Sequence, residues 1–530
     1  MTTEYDVIIS GYGPVGQTAA NFLGKDGHRV LVLEQWAGIY HLPRAAHIDH
    51  EIMRIIQAIG KADDIHESLL TCDKYKWINQ EGETLIEFDF NLIGKSGWPS
   101  DYLIYQPRFE DVLHNGAKRY SNVNIRNNAK VVFSEEVSDG VIVEHEDMQS
   151  GEKFRVKGSY LLGCDGANSY VRQAAGISYT NLGFDESWLV VDIFLKDRKN
   201  TSLPSDPEQH CNPLRPVTVC PMPDNRYRWE FMMMPGETKA EMVEDGYVWK
   251  SINPWGVTRE NADIERATVY TFNSKIAPQW TKGRLLLAGD ACHLTPPFLG
   301  QGMAMGMRDA INISWKLDLV LRGVCPEKIL DDYGPERIPQ VTEAIKLAVD
   351  LGNVVCEKDI EKVKIRDEEM LKIRESGINP IGENTITFPD LLEGIIKKDK
   401  LGNRVAPAGD LFVQGKVDAA SVKDTLLETI TGPGFLLLAK GFDPSERMTA
   451  IQRDLWKKLG GHIVTIGEVS STNAISVAEA SSSSVYADWL SENECVAVLM
   501  RPDFYIYGVA KLPTDISKLI DDLSSSLYIK

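Results

Sequence analysis

The stretch YDVIISGYGPVGQTAANFLGKDGHRVLVLE, from Tyr5 to Glu34, decides the fold. Tyr5 to Ser10 is a short run rich in β-branched residues that ends on glycine, and Pro14 to Lys25 spaces its small and apolar residues as a helix does. Arg29 to Glu34 returns to strand. Strand, glycine-rich turn, helix and strand make a βαβ unit, which implies a parallel sheet. Within it, Gly11-x-Gly13-x-x-Gly16 closes the first strand and opens the helix, with Pro14 and Val15 in its first turn. Two of these glycines let the backbone turn tightly and approach a pyrophosphate, the third lets helix pack on sheet, and the helix start offers unpaired N–H groups to the anion. Glu34, followed by Gln35, ends the second strand, where an acid accepts hydrogen bonds from a ribose diol. The plainer alternative is a tight turn; the register of strand, glycines, helix and acid favours a dinucleotide. The motif alone does not choose between NAD and FAD.

Outward from that unit, 530 residues with 57 Lys plus Arg against 76 Asp plus Glu carry a formal charge of −19, and 43% are apolar. At about 150 residues per domain the chain holds several units. The acidic balance, with no Lys/Arg-rich block, argues against a nucleic-acid partner. The start, MTTEYDVIIS, has acids where a secretory leader has bases. The longest apolar runs, such as Leu285 to Ala288 and Phe435 to Ala439, fall well short of the roughly 20 residues of a membrane span. A soluble chain with no membrane partner is expected. Eight cysteines with no C-x-x-C pair read as free thiols without a metal, as in a reducing cytoplasm.

From Asp73 to Phe90, and from Leu189 to Pro235, apolar and polar residues alternate with turn signals, which predicts antiparallel sheet interleaved with the first unit. Gly283 to Gly289 reads as a buried strand, and Gly306 to Arg322 and Gly334 to Gly352 as helices. Glu357 to Glu375 is dense in alternating charge, a solvated helix leading away from the core. Asn379 to Pro407 looks like a connector. Leu411 to Lys530 shows strands at Phe435 to Ala439, His462 to Ile466, Cys495 to Met500 and Phe504 to Ala510, a separate α/β unit.

Two more elements carry chemistry. Tyr160 to Gly176, YLLGCDGANSYVRQAAG, runs a strand into Asp165-Gly166. Gly283 to Leu317, GRLLLAGDACHLTPPFLGQGMAMGMRDAINISWKL, delivers Gly289-Asp290 and then a Pro/Gly-rich loop into a helix beginning near Gly302. In this order the three elements resemble those of the flavoprotein aromatic hydroxylases typified by p-hydroxybenzoate hydroxylase and phenol hydroxylase. The resemblance extends toward the 3-(3-hydroxyphenyl)propionate hydroxylases through Cys211-Asn-Pro-Leu-Arg215-Pro216, Arg228-Trp-Glu-Phe231, Met234-Pro-Gly-Glu-Thr238 and Met500-Arg-Pro-Asp503.

The resemblance implies an α/β fold. A Rossmann-like FAD-binding domain (1–72, 100–185 and 281–355) is interleaved with an antiparallel-sheet substrate domain (73–99 and 186–280). A helical linker (356–407) and a thioredoxin-like C-terminal α/β domain (408–530) follow. Cys495 is the sole thiol of that last unit, too few for dithiol chemistry, so packing or a homodimer is its expected role. It implies that Glu34 binds the adenosine ribose, that Arg44 and Gln106 contact FAD, that Asp165-Gly166 serves both FAD and NADH or NADPH, and that Asp290 takes a ribityl hydroxyl. The loop carrying Pro297, Gly300, Gly302 and Met303 would lie beside the flavin pyrimidine edge. Ala304 stands where the family often has Asn, so one polar contribution near the flavin is missing. Cys292 and His293 belong to the FAD loop and not to a metal site.

Hydroxylation through a flavin C4a-hydroperoxide is electrophilic, so a phenolate reacts faster than a phenol and a base near the hydroxyl helps. The segment Arg44-Ala-Ala-His47-Ile-Asp49-His50 reads as opening the second helix, and within it Asp49 matches the acid that phenol hydroxylase places beside its substrate, its alternative being a helix cap. His47 is a second candidate, its alternative a structural histidine. Arg215, Tyr227 and Arg228 could anchor a phenol or carboxylate, or simply face water. Met232 and Met234 could form a soft wall. The expectation is a cytoplasmic FAD monooxygenase that uses NAD(P)H and O₂ on a phenolic substrate. Baeyer–Villiger or epoxidising chemistry on a polycyclic substrate, and a non-catalytic flavin-binding sensor or interaction module, are the alternatives.

Overall fold

The structure, a computed structural model, describes residues 4–66, 68–379, 388–420, 422–467, 473–481 and 483–529. Strand Tyr5–Ser10, helix Pro14–Lys25 and strand Val30–Leu33 form the opening βαβ unit. The two strands pair in parallel, Val7 opposite Val30. The first sheet runs in the order Thr281–Lys282, Leu285–Leu287, Lys153–Gly163, Tyr5–Ser10, Val30–Leu33, Val123–Arg126. Strands beginning at residues 5, 153 and 285 are therefore neighbours and parallel, so the turns after Ser10, Gly163 and Leu287 emerge along one edge. Ligands of open parallel sheets bind at that carboxyl edge. Val7, Ile8, Ile9, Leu161, Leu162 and Leu286 have no exposed surface, as strands covered on both faces require.

The second sheet has eight strands in the order His293–Leu294, Ala262–Ile276, Thr180–Leu195, Arg226–Met232, Val217–Met222, Glu208–His210, Lys74–Ile78, Thr84–Asp89. Alternation divides its faces. Tyr227, Trp229 and Phe231 enter an apolar cluster with Leu189, Val191 and Val248, so Arg228 and Glu230, between them in sequence, project from the opposite face. A third sheet of seven strands lies in the C-terminal unit. At its centre Leu436–Lys440 pairs in parallel with His462–Ile466 and antiparallel with Ala497–Met500.

Two expectations need correction. Residues 47–49 do not open a helix but form a short strand, His47–Asp49, paired with Asp101–Ile104; the helix His50–Ile59 starts after it because Asp49 caps it. The charged helix Ile360–Glu375 does not lead away from the core. Its Arg366 donates to Val354 O at 2.8 Å and Cys211 O at 2.9 Å, and Arg374 donates to Thr84 O at 3.1 Å. The described part of the expected connector is anchored, with Leu391, Ile395 and Ile396 buried and Ile395 N donating to Glu336 Oε1 at 2.8 Å; residues 380–387 lie outside the described residues.

Buried charge joins the C-terminal unit to the first sheet's helices. Arg501 pairs with Glu336 at 2.8 Å and Asp503 at 2.6 Å, and Lys316 with Glu336 at 2.7 Å. Arg54 meets Glu428, its Nε at 2.9 Å from Oε2. Among the described residues no helix is long and apolar enough to cross a membrane.

Candidate flavin and substrate site

The pyrophosphate end follows from the glycines. A Cβ on Gly16 would sit 2.2 Å from Gly11 O, a backbone atom that cannot yield. A Cβ on Gly13 would meet only Arg44 Nη2, at 3.7 Å, so the start of the helix opens into free space. No side chain caps that start, leaving its first N–H groups for an anion. Glu34 accepts from Tyr12 N at 2.7 Å and Trp36 N at 2.9 Å, which holds its carboxylate beside the glycine turn; Gln35 is exposed next to it.

Arg44 is fixed by Gln106, whose Oε1 accepts from the backbone N–H of Arg44 at 2.9 Å and from that of Ala45. Gln106 in turn donates to Glu110 at 2.6 Å. Burial pushes the Glu110 carboxyl up to about 7, against the opposing pull of Arg44. In the second motif Asp165 accepts from Val171 N at 3.2 Å and Ser10 Oγ at 3.4 Å, while its Oδ1 is buried without a protein partner.

The third motif is held from behind. Asp309 accepts from Gly289 N at 3.0 Å and Arg337 Nε at 2.8 Å, and its Oδ2 lies 2.7 Å from His293 Nε2. All three side chains are buried. Burial raises the Asp309 carboxyl, but the charges of Arg337 and His293 outweigh it and hold the group below the ordinary carboxylate value. Cys292, His293 and Asp309 place donor atoms within 4.8 Å of one another, yet the Asp309 oxygens are already filled by these three donors. Asp290, beyond Gly289, is exposed and lines a half-open cavity.

That cavity encloses about 660 Å³. Its walls include Gly13, Pro14 and Val15 of the first motif, Cys164 and Gly166 of the second, and Asp290, Pro297, Gly300, Gly302 and Met303 of the third, with Arg44 and Gln106. Gly11, Gly16, Glu34, Gln35, Asp165 and Gly289 stand behind or beside that wall. The other half is aromatic and apolar, with Tyr75, Phe90, Leu103, Phe272, Phe298 and Leu299. Phe298 is edge-on to Phe184 and Trp188, which fixes it.

His47 faces both halves. Its Nε2 lies 2.8 Å from Asp101 Oδ1 and its Nδ1 3.4 Å from Gly300 O. Burial disfavours the charged ring, but the hydrogen bond and charge of Asp101 outweigh it and leave the ring's proton affinity above the usual histidine value. Both nitrogens thus face oxygen atoms, the closer contact being the one to Asp101.

The floor of the cavity is polar. Arg228 donates to Asp192 Oδ1 at 2.7 Å, Arg44 O at 2.7 Å and Pro43 O at 3.1 Å. Arg266 donates to Pro43 O and lies 3.6 Å from Asp192. Glu230 is 3.9 Å from Arg228, outside hydrogen-bond reach. Burial raises its carboxyl above the ordinary glutamate value.

Several sequence candidates stand elsewhere. Asp49 does not reach the cavity: its Oδ1 accepts from Glu51 N at 3.0 Å and Ile52 N at 3.1 Å, and its Oδ2 takes Arg308 at 2.5 Å. The cap alternative describes it. Tyr227 points to the far face and donates to Pro204 O at 3.1 Å. Arg215 is paired with Glu237 and donates to Met232 O at 2.8 Å, away from the cavity. Met232 is buried behind the wall with Phe298 and Trp188. Ala304 packs in an apolar cluster with Ile52 and Met53, so the side chain at this position faces core and not the cavity. Asp101, Glu230, Arg266 and Tyr270 were not foreseen; counting two residues on from Arg228 would have placed Glu230 on the same face.

An uncapped helix start over an open glycine, acids spaced along one edge, and a second half lined by rings define a flavin-dependent oxidoreductase of the dinucleotide-binding class. The residues present fit FAD, notably the orphaned Asp165 Oδ1 and the room above Gly13. The FAD binding domain family matches residues 4–348, and the chain belongs to it; the HcaD C-terminal domain family matches residues 409–526. The chain is 35% identical, over 98% of its length and 95% of the relative's, to a "Probable NADH-specific resorcinol 4-hydroxylase" of Rhodococcus jostii (strain RHA1). It is 29% identical, over 99% of its length and 95% of the relative's, to the 3-(3-hydroxy-phenyl)propionate/3-hydroxycinnamic acid hydroxylase of Escherichia coli (strain K12). Among solved structures, its fold resembles the flavin-dependent monooxygenase PieE in complex with FAD and substrate, with a TM-score of 0.82 and 19% identity over 99% of both chains. The aklavinone-11 hydroxylase ternary complex gives 0.80 and 20% over the whole of both chains. The chain is an FAD-dependent aromatic-ring monooxygenase.

Proposed function

We propose that this monooxygenase uses NADH and O₂ to hydroxylate a phenolic substrate within the cavity between the two sheets. The observation that carries the reading is the meeting of three flavin-type stretches on one wall of a chamber whose opposite wall is aromatic. The chemistry FAD would supply when bound is acceptance of hydride from the nicotinamide and transfer of one oxygen atom of O₂ to the ring, the other leaving as water. Gly11, Gly13, Pro14, Val15 and Gly16 would hold its pyrophosphate, and Glu34 with Gln35 its adenosine ribose. Arg44, Gln106, Asp165, Gly166, Gly289 and Asp290 would hold the centre and ribityl chain. Pro297, Gly300, Gly302 and Met303 would hold the pyrimidine edge, where the start of helix Gly302–Leu321 favours negative charge by about 0.3–1 kcal/mol.

A phenol ordinarily ionises near pH 10, so the chain must assist. His47, whose proton affinity Asp101 raises, would when protonated supply positive charge at the cavity wall and favour the phenolate, whose ring carbons are richer in electrons. Tyr75, Phe90, Phe272 and Phe298 enclose the ring and exclude water. Asp49 acts one step removed, by capping the helix behind His47 and holding Arg308, which also donates to Gln301 of the flavin loop at 2.9 Å.

The same reading divides the chain into the FAD-binding unit 1–72, 100–185 and 281–355, the substrate unit 73–99 and 186–280, the linker 356–407 and the C-terminal unit 408–530. A thioredoxin-like fold for the last is supported by its three parallel strands, Leu436–Lys440, His462–Ile466 and Ile475–Glu479, followed on one side by two antiparallel ones, Ala497–Met500 and Ile506–Ala510. Its one thiol, Cys495, is buried and pushed up to about 11 by burial, which suits packing and not redox exchange. The test is to purify the chain with FAD and titrate NADH oxidation with a panel of phenols. Stimulated oxidation with a matching yield of hydroxylated product is expected; a panel without effect would refute the reading.

A further inference from the structure

Glu230 is the one acid on the cavity floor that the site leaves unused. Arg228 on the same strand is saturated by Asp192 and the carbonyls of Pro43 and Arg44. Arg266 shares Asp192 and donates to Pro43 O. Among the described residues no donor lies within hydrogen-bond distance of the Glu230 carboxyl, whose nearest cation is 3.9 Å away. The group is only partly covered, and its remaining surface faces the cavity beside Thr218, Cys220 and Tyr270. An acceptor held in a ring-lined chamber with no donor of its own calls for one from the guest.

We infer that Glu230 is a specificity-determining residue that accepts a hydrogen bond from a second hydroxyl on the ring, so that the substrate is an uncharged dihydroxylated benzene and not a phenol bearing a carboxylate. The charge count on the floor supports this. Arg228 and Arg266 are already engaged by Asp192 and by the carbonyls of Pro43 and Arg44, so neither is spare for a substrate carboxylate, which would enter facing Glu230. Burial favours the neutral acid, but either form of the carboxyl accepts a hydroxyl proton. The inference rests on the hydroxylase reading above and narrows it.

The test uses the FAD-loaded full-length protein, with ligand binding read from the perturbation of the flavin absorption band. The probes are phenol, the three dihydroxybenzenes and 3-hydroxyphenylpropionate. At least one dihydroxybenzene should bind about tenfold more tightly than phenol, the scale of one added hydrogen bond. In Glu230→Ala that preference should collapse while phenol affinity stays, and Glu230→Gln, which keeps the volume, should gain affinity for 3-hydroxyphenylpropionate. A merely structural defect would weaken phenol as well and lower FAD content. If phenols are turned over but the preference survives in Glu230→Ala, or the carboxylated phenol binds wild type most tightly, the inference alone is overturned. If no phenol perturbs the flavin or stimulates NADH oxidation, the hydroxylase reading falls and takes this inference with it.

Discussion

Replacing Asp309 with alanine tests how the flavin loop is held without touching a residue that meets the flavin. The carboxylate has no exposed surface and serves three donors: Arg337 Nε at 2.8 Å, His293 at 2.7 Å and Gly289 N at 3.0 Å. Its loss leaves Arg337, itself buried, without a counter-charge, a defect of about 3–5 kcal/mol. It also leaves the Gly289 N–H unsatisfied, about 1–3 kcal/mol more. The second cost falls on the loop that carries Asp290. At 1.4 kcal/mol per factor of ten, Asp309→Ala should weaken FAD binding roughly five- to hundredfold. Asp309→Asn should lie close to it, because its amide oxygen can serve Gly289 and His293 only by turning its own N–H groups toward Arg337. The assay is titration of the apoprotein with FAD, followed by quenching of flavin fluorescence, beside thermal unfolding of the apoprotein. FAD affinity and unfolding midpoint both equal to wild type would refute the claim that Asp309 supports this loop.

Three further outcomes follow from the geometry. Gly13→Ala should fold, since its Cβ meets only the flexible end of Arg44, yet lose FAD because the methyl occupies pyrophosphate space; Gly16→Ala should also fail to fold normally, as its Cβ would strike Gly11 O, and circular dichroism with flavin content separates the two. Arg54→Met strands Glu428 at the junction with the C-terminal unit and should cost about 3–5 kcal/mol, much of it restored by adding Glu428→Leu; thermal unfolding of both variants checks this. The folded-state proton affinity of His47 is raised, so its pair with Asp101 adds stability in full below the unfolded value of about 6.5 and loses it as pH rises through the higher folded value. Turnover should fall on the same alkaline limb, and a kcat/KM profile of His47→Gln should lack that limb.

The FAD half of the site was legible because its signals are local: the glycine spacing from Gly11 to Gly16, the acid at Glu34 and the two later motifs each sit within one strand and its following turn. Parallel order then brings them together, and a βαβ start makes that order the expected one. The substrate half was less legible because its chemistry lies in pairs distant in sequence. Asp49 has the same local appearance as a cap and as a substrate acid, and only Arg308, 259 residues away, distinguishes them. His47 needed Asp101, from a neighbouring strand, to raise its proton affinity. On strand Arg226–Met232 the parity is readable but not the face, so Tyr227 and Arg228 stand as equal candidates in sequence although only Arg228, with Glu230, faces the cavity. The charged helix after Glu357 looked solvated because charge is what its surface shows; the two arginines that clamp it to the sheet carry no mark in sequence.

The most direct measurement is turnover of the FAD-loaded protein with NADH, a phenol and isotopically heavy O₂, with the product weighed by mass spectrometry. The account predicts a hydroxylated ring carrying one heavy oxygen atom, formed in proportion to NADH consumed. Consumption of NADH that yields only hydrogen peroxide with every phenol, or a product whose new oxygen comes from water, would contradict it.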